Sequence, residues 1–217
     1  MSIYRSLKDI VYDYISEQIS SGKLKPNESI SEADIVAALE ISRTPVREAL
    51  MQLSSEGYIE HIPRRGFFTH ALTLERVRHI YEIIGNLESL AAVLALENPE
   101  RLDVDAMRRL ANEMEQAIVT RQYEPYHDLQ YQFHNVFIQA SENEDLIRII
   151  ANLKKILMSH EYLSRTRADD DRVVFDQMNA EHWHIVALIE AGDKEALRTF
   201  LRDEHWNVKY AAFYTYV

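Results

Sequence analysis

The sequence predicts a mainly α-helical protein: a small N-terminal helix-turn-helix domain with a β-hairpin, then an antiparallel bundle of six helices. Three observations carry this. Ser42-Arg43-Thr44-Pro45-Val46-Arg47-Glu48-Ala49-Leu50 reads as a short amphipathic helix. Two β-prone runs around a turn follow it, Gly57–Ile62 and Pro63–Thr69. From Thr73 onward the apolar residues recur with helical spacing almost without interruption.

Composition agrees. Of 217 residues, 47% are hydrophobic and 27% charged, which supports packed domains rather than disorder. Five glycines and five prolines favour long helices over a turn-rich β fold. Cysteine is absent, so there is no disulfide framework, and a reducing cytoplasm is the expected location. The N-terminus lacks the apolar stretch of a signal peptide, and no run approaches the roughly 20 apolar residues that span a bilayer. The net charge is −11, but it is unevenly distributed. Residues 1–72 carry −2 and residues 73–217 carry −9. An affinity for nucleic acid must therefore rest on a local cluster, Arg43, Arg47, Arg64 and Arg65.

Residues 4–21 stripe one helix with Leu7, Ile10, Val11, Tyr14, Ile15 and Ile19, and Gly22 ends it. Asn27, after Pro26, suits a turn needing positive φ. Ser31 and Asp34 open a second helix as a near capping box, with Ile35, Ala38 and Leu39 facing inward. Glu40-Ile41 makes a tight turn into the next helix, for which Ser42 is the expected N-cap, its hydroxyl accepting a backbone N–H. Pro45 fits the first turn, and Val46, Leu50 and Leu53 form the buried stripe. Arg43, Thr44 and Arg47 are left exposed at the N-terminal end. Arginine grips phosphate or pairs with guanine, and threonine meets phosphate or a base edge. Arg64, Arg65 and Gly66 form the hairpin tip, from which an arginine reaches phosphate or the minor groove.

Residues 5–72 resemble the winged-helix domain of the GntR family of bacterial transcription regulators. The resemblance is carried by Ile19-Ser20-Ser21-Gly22-Lys23-Leu24-Lys25-Pro26, by Ser42–Leu50, by Gly57-Tyr58-Ile59 and by Arg65-Gly66. It implies DNA contacts at Arg43, Thr44, Arg47 and the wing tip around Arg65 and Gly66, and Ser42 and Arg64 beside them are expected to join the contact. Ala33 stands where the family often has another DNA-contacting arginine, and Asn27 where glycine is usual.

The remainder, residues 73–217, is expected to form the second domain. Leu74, Val77, Ile80, Tyr81, Ile84, Leu87 and Leu90 stripe its first helix, which Asn98-Pro99 stops. Residues 102–121, 124–141, 143–163, 172–191 and 193–212 read as five more. Phe133-His134, Asn143-Glu144-Asp145-Leu146, Glu181-His182 and Ala191-Gly192-Asp193 resemble the FCD subgroup of the same family. That resemblance implies a helical ligand-sensing domain, a homodimer, and a pocket for a small organic acid, often beside a divalent metal. The subgroup's ligands are an aspartate and a histidine four apart, then two more histidines. His134 and His182 match two of these, Gln130 falls at the acid, and Glu204 falls at the last ligand with His205 one residue beyond. Gln130, His134, His182 and Glu204, with His205 as the alternative to Glu204, are thus the expected ligands of Zn, Ni or Mn. Ile84 stands where the subgroup often has an effector-binding arginine.

The function expected is a homodimeric, metabolite-responsive regulator of transcription that binds an operator in double-stranded DNA, with no membrane association and no enzymatic activity. No nucleophile elbow, P-loop or dinucleotide motif is present. The alternatives are a metal-dependent hydrolase built on the bundle, which leaves the winged helix unexplained, and a constitutive DNA-binding protein whose bundle only dimerises.

Overall fold

The computed structural model describes residues 6–70, 73–164, 172–207 and 209. The expected break at Arg167–Asp171 and the tail from Tyr210, including the end of the expected last helix, lie outside the described residues.

The N-terminal elements are α1 (Leu7–Ser20), β1 (Ser29–Ile30), α2 (Glu32–Leu39), α3 (Arg43–Ser55), β2 (Ile59–Ile62) and β3 (Gly66–Thr69). Helix α1 opens with a full capping box: Asp9 donates its N–H to the Ser6 hydroxyl and takes back the Ser6 N–H on its carboxylate. The Ser6 hydroxyl, donating to that carboxylate at 2.7 Å, also holds Asp9 below the usual carboxylate range. Ser31 caps α2 by accepting from the Asp34 N–H. Ser42 departs from expectation. It stands at the N-cap of α3 with extended backbone but makes no side-chain cap bond. One reason lies in the sequence, since Pro45 occupies the third helical position and has no N–H to give.

Helix α2 ends at Glu40 in the left-handed conformation, φ 55°, which turns the chain at once into α3. Asn27 takes φ 61°, the positive value its turn requires. The strands form an antiparallel sheet in the order β1-β3-β2, with Ile30 opposite Phe67 and Ile62 opposite Gly66. The two-residue β1 is an addition to what the sequence suggested, because Ser29-Ile30 is too short to show alternation. Val11, Ile15, Ile19, Ile35, Val46, Leu50, Leu53, Ile59 and Phe67 are buried together and lock the three helices to the sheet.

The bundle helices are α4 (Leu74–Ala95), α5 (Val104–Val119), α6 (Tyr123–Ala140), α7 (Glu144–Ser164), α8 (Arg172–Ala191) and α9 (Lys194–Thr199), the last continuing as a π-helical turn over Phe200–His205. Asp103, Asn143 and Asp193 accept from backbone N–H groups three residues on, which fixes where α5, α7 and α9 begin. The inward faces show helical spacing, as with Met107, Ala111, Met114 and Ile118 on α5. The chain divides into two compact units. The first holds the residues up to Leu74 together with Lys154–Ser164 of α7, and the second holds Glu75–Leu153 and the segment through α8 and the π-turn. The grouping of Lys154–Ser164 with the first unit differs from a simple boundary at residue 72.

Leu50 is fully buried on the inner side of α3. Leu50→Ala should destabilise the first unit by about 2–5 kcal/mol through lost contacts and a residual cavity, read as an earlier urea midpoint for the unfolding of that unit.

Candidate DNA-reading face and metal centre

Helix α3 sorts its residues by face. Val46, Ala49, Leu50 and Leu53 are buried, while Arg43, Thr44, Arg47, Glu48 and Met51 are exposed and line one shallow surface depression. Glu32, the first residue of α2, reaches both arginines. Its carboxylate meets Arg43 Nε at 3.0 Å and Arg47 Nη1 at 3.5 Å, and its side chain is 13% exposed against 76% and 58% for the arginines. The helix-turn-helix geometry thus brings a carboxylate beside the two guanidinium groups, a pairing that sequence spacing did not suggest.

The hairpin tip is formed by Pro63, Arg64 and Arg65, all exposed. Arg65 donates its N–H to the Ile62 carbonyl at 3.0 Å, and Arg64 takes φ 67° inside that turn. Gly66 follows at φ 98°, where a side chain would be strained. The Arg65 guanidinium lies over the Phe68 ring at 5.1 Å, which directs its side chain along the wing.

In the second unit three buried histidines converge. His134 on α6, His182 on α8 and His205 on the π-turn have ligand nitrogens that all lie within 4.8 Å of one another. His134 Nε2 is 3.3 Å from His182 Nε2 and 3.2 Å from His205 Nε2. The outer nitrogens of two rings meet carboxylates: His134 Nδ1 is 2.6 Å from Glu88 Oε2, and His205 Nδ1 is 3.0 Å from Glu181 Oε2. A ring that donates from Nδ1 keeps its lone pair on Nε2. Lone pairs of His134 and His205 therefore face each other, an arrangement that favours a cation between them. Two nitrogens at about 2.0–2.1 Å from a tetrahedral zinc lie about 3.3 Å apart. The donor set fits a divalent transition ion on chemistry and on spacing. Phe133 and Phe137, fully buried, pack against the His182 and His134 rings and exclude water.

Among the expected ligands, Glu204 is displaced from the cluster. It is exposed, while His205 beside it is buried in the cluster. The physical reason is the π-turn. Trp206 donates its N–H to the Leu201 carbonyl, five residues back, so the segment is wound more loosely than an α-helix and its register slips by a residue. The ligand spacing taken from the subgroup falls on Glu204, and the π-turn brings its neighbour His205 into the cluster instead. Gln130 is half-buried, one turn before His134 on α6. Ile84 is fully buried among the apolar residues of α4.

Sequence reasoning missed Glu88, Glu181, Trp206 and Gly85. A signal for Glu88 existed: it falls on the stripe Ile84, Glu88, Ala91, Ala95, where an acid interrupts an otherwise apolar row. The Trp206 indole donates to the same Glu88 oxygen at 2.9 Å. Gly85, one turn earlier, allows this approach, since a Cβ there would meet Trp206 Cβ at 3.0 Å and the Arg202 carbonyl oxygen at 3.2 Å.

The family model described as "Bacterial regulatory proteins, gntR family" matches residues 7–69, and the FCD domain model matches residues 79–205. The chain belongs to the GntR family and carries an FCD domain. It is a DNA-binding transcriptional regulator, not an enzyme, which removes the hydrolase alternative. The HTH-type transcriptional regulator YdhC of Bacillus subtilis is 28% identical over 189 residues, covering 86% of this chain and 82% of that protein. The gluconate operon transcriptional repressor of the same organism is 29% identical over 182 residues, covering 82% and 73%. Among solved structures, McbR/YncC of E. coli superposes with a TM-score of 0.76 at 25% identity, covering 97% of this chain and 98% of the other. No described helix is long and apolar enough to cross a membrane.

Gly85→Ala tests the close packing in the FCD domain. Alanine gains about 0.5–1 kcal/mol over glycine within a helix, whereas overpacking costs about 1–3 kcal/mol. Two of the crowding atoms are backbone atoms of Arg202, so relief requires moving the π-turn. The expected outcome is a lower melting temperature and displaced His205 ring signals in NMR spectra.

Proposed function

We propose that this GntR–FCD regulator binds a two-fold operator as a homodimer, with residues 1–72 reading DNA and residues 73–217 dimerising and sensing a small metabolite at a divalent metal. The observation that carries the DNA reading is the exposed row Arg43, Thr44 and Arg47 on a helix whose opposite face is locked into the core. Such a helix enters the major groove with its N-terminal residues against base edges and phosphates. Ser42, with its hydroxyl uncommitted to a cap bond, joins that row, and Arg64, Arg65 and Gly66 bring the wing to the backbone or minor groove. One such helix reads only a few base pairs, and two-fold pairing doubles the readout. A dimer is supported by α4, where Ile83 and Leu90 are 48% and 41% exposed and Leu87 and Leu94 half-buried. Their spacing, i, i+4, i+7 and i+11, is that of a helix–helix seam.

Operator binding tests the first part. Arg43→Ala and Arg47→Ala should each weaken specific binding by about 1–3 kcal/mol, with a protected footprint of two half-sites about one helical turn, or a multiple of it, apart. Unchanged affinity in both variants would remove α3 from the interface.

For the sensor, the ligand set is His134, His182 and His205, with Gln130 one turn from His134 as the nearby oxygen donor. Zn, Ni and Mn all accept imidazole with oxygen. When bound, the ion supplies an electrophilic anchor for a carboxylate or hydroxyl of the effector. The residues themselves do the rest: the histidines present Nε2, Glu88 and Glu181 hold Nδ1 of His134 and His205, and the phenylalanines keep water out. An anchoring metal also accounts for an organic acid being held without an arginine at Ile84. The effector shifts DNA binding only through different affinities for two conformations of the regulator. A constitutive DNA-binding protein would show no change of operator affinity with any metabolite.

Elemental analysis of protein purified without chelator tests the metal. About one ion per chain is expected in the wild type and in Glu204→Ala, and loss of the ion in His134→Ala, His182→Ala and His205→Ala. A wild type with no bound metal, and no rise in melting temperature on adding zinc or nickel, would refute the site.

A further inference from the structure

The metal reading leaves open what holds three histidines from three separate elements in one geometry. Glu88, wholly buried on α4, supplies the connection. A single oxygen, Oε2, accepts from His134 Nδ1 at 2.6 Å and from Trp206 Nε1 at 2.9 Å. Trp206 directly follows His205 at the end of the π-turn. Tyr81 adds an edge-to-face contact on the Trp206 ring, at 5.0 Å between centroids, and Gly85 opens the space that the turn occupies.

We propose that Glu88 is the positioning residue of the tri-histidine site: it fixes the tautomer of His134 and, through Trp206, holds the π-turn that carries His205. The proposal rests on the metal reading for its consequence but not for its first step. A carboxylate bound to Nδ1 keeps the proton there and leaves Nε2 with its lone pair toward the other histidines. The same carboxylate makes that imidazole a more basic ligand, and a cation one ring away compensates a carboxylate charge removed from water. His205 receives its own carboxylate, Glu181, at 3.0 Å. Glu181 is also 3.3 Å from Lys209 and is partly exposed, so it answers to solvent as well. Glu88 is therefore the acid whose removal should matter most.

Three variants separate the contributions in the full-length protein. Glu88→Gln keeps an oxygen that accepts from both N–H groups and removes the charge. Glu88→Ala removes both hydrogen bonds. Trp206→Phe keeps an aromatic ring, smaller than the indole, and removes the N–H that ties the π-turn to Glu88. Zinc affinity is measured by competition with a chromogenic chelator, and cobalt(II) substitution gives the visible spectrum of the coordination geometry. Long-range ¹H–¹⁵N spectra of the metal-free protein read the His134 tautomer directly.

The metal-free wild type should show His134 as the Nδ1–H tautomer. Glu88→Gln should preserve that tautomer and weaken zinc binding about 10- to 100-fold. Glu88→Ala should lose the tautomer preference and weaken zinc further. Trp206→Phe should keep the tautomer but change the cobalt spectrum, because His205 is less well placed. An Nε2–H tautomer in the wild type overturns the proposal, as does zinc affinity in Glu88→Gln equal to that of the wild type. If the wild type takes up neither zinc nor cobalt, the metal reading fails. The tautomer comparison, made without metal, then still decides whether Glu88 positions His134. A Glu88→Ala protein that does not fold leaves the decision to Glu88→Gln and Trp206→Phe.

Discussion

The close approach of the π-turn to α4 is the constraint on which the FCD site depends. Gly85 leaves room for Trp206 to lie against the helix, and from there its indole reaches Glu88. From that contact the other placements follow. Loosened winding carries His205 rather than Glu204 inward, and Glu88 turns His134 to meet it. A π-turn gives up regular i→i−4 bonding, and such turns are common where a side chain must be re-aimed for function. Here the loss is offset by an aromatic contact with Tyr81 and a hydrogen bond to a buried carboxylate.

Most of the architecture was legible because it rests on local signals. The stripe of α1, the cap at Ser31 and the Pro-Arg-Arg-Gly hairpin tip are each written within a few residues. The features that escaped depend on contacts distant in sequence or on departures from regular geometry. Strand β1 exists because Ser29 and Ile30 pair with Phe68 and Phe67, some forty residues on. The missing cap bond at Ser42 was readable in principle, since Pro45 removes one of the N–H groups that the hydroxyl would have accepted. The π-turn was not, because periodicity assumes the geometry it is used to infer. His134 and His182 follow from the resemblance to the subgroup's ligand spacing, and the same spacing falls on Glu204, one residue short of His205, where the regular winding ends. Glu88 was overlooked for a different reason. An acid on a long amphipathic helix ordinarily reads as solvated, and although Glu88 interrupts an apolar row, its partners, forty-six and one hundred and eighteen residues away, are named only by the fold.

The DNA-reading face poses the opposite electrostatic problem. The N-terminal 72 residues carry a net charge of −2, so no broad positive field draws this domain to a polyanion. Attraction has to be focused on a few side chains, and Glu32 lies beside two of them. It engages Arg43 through Nε and Arg47 through a single Nη1. Each guanidinium has five N–H donors, so both keep most of their fork available. Exposed ion pairs contribute little to stability, so this one leaves both arginines able to move onto a ligand. A long side chain loses rotamer entropy when it is fixed on a ligand. An acidic neighbour lowers the local positive charge, so contact by this face would depend on the geometry of the guanidinium forks rather than on a general field.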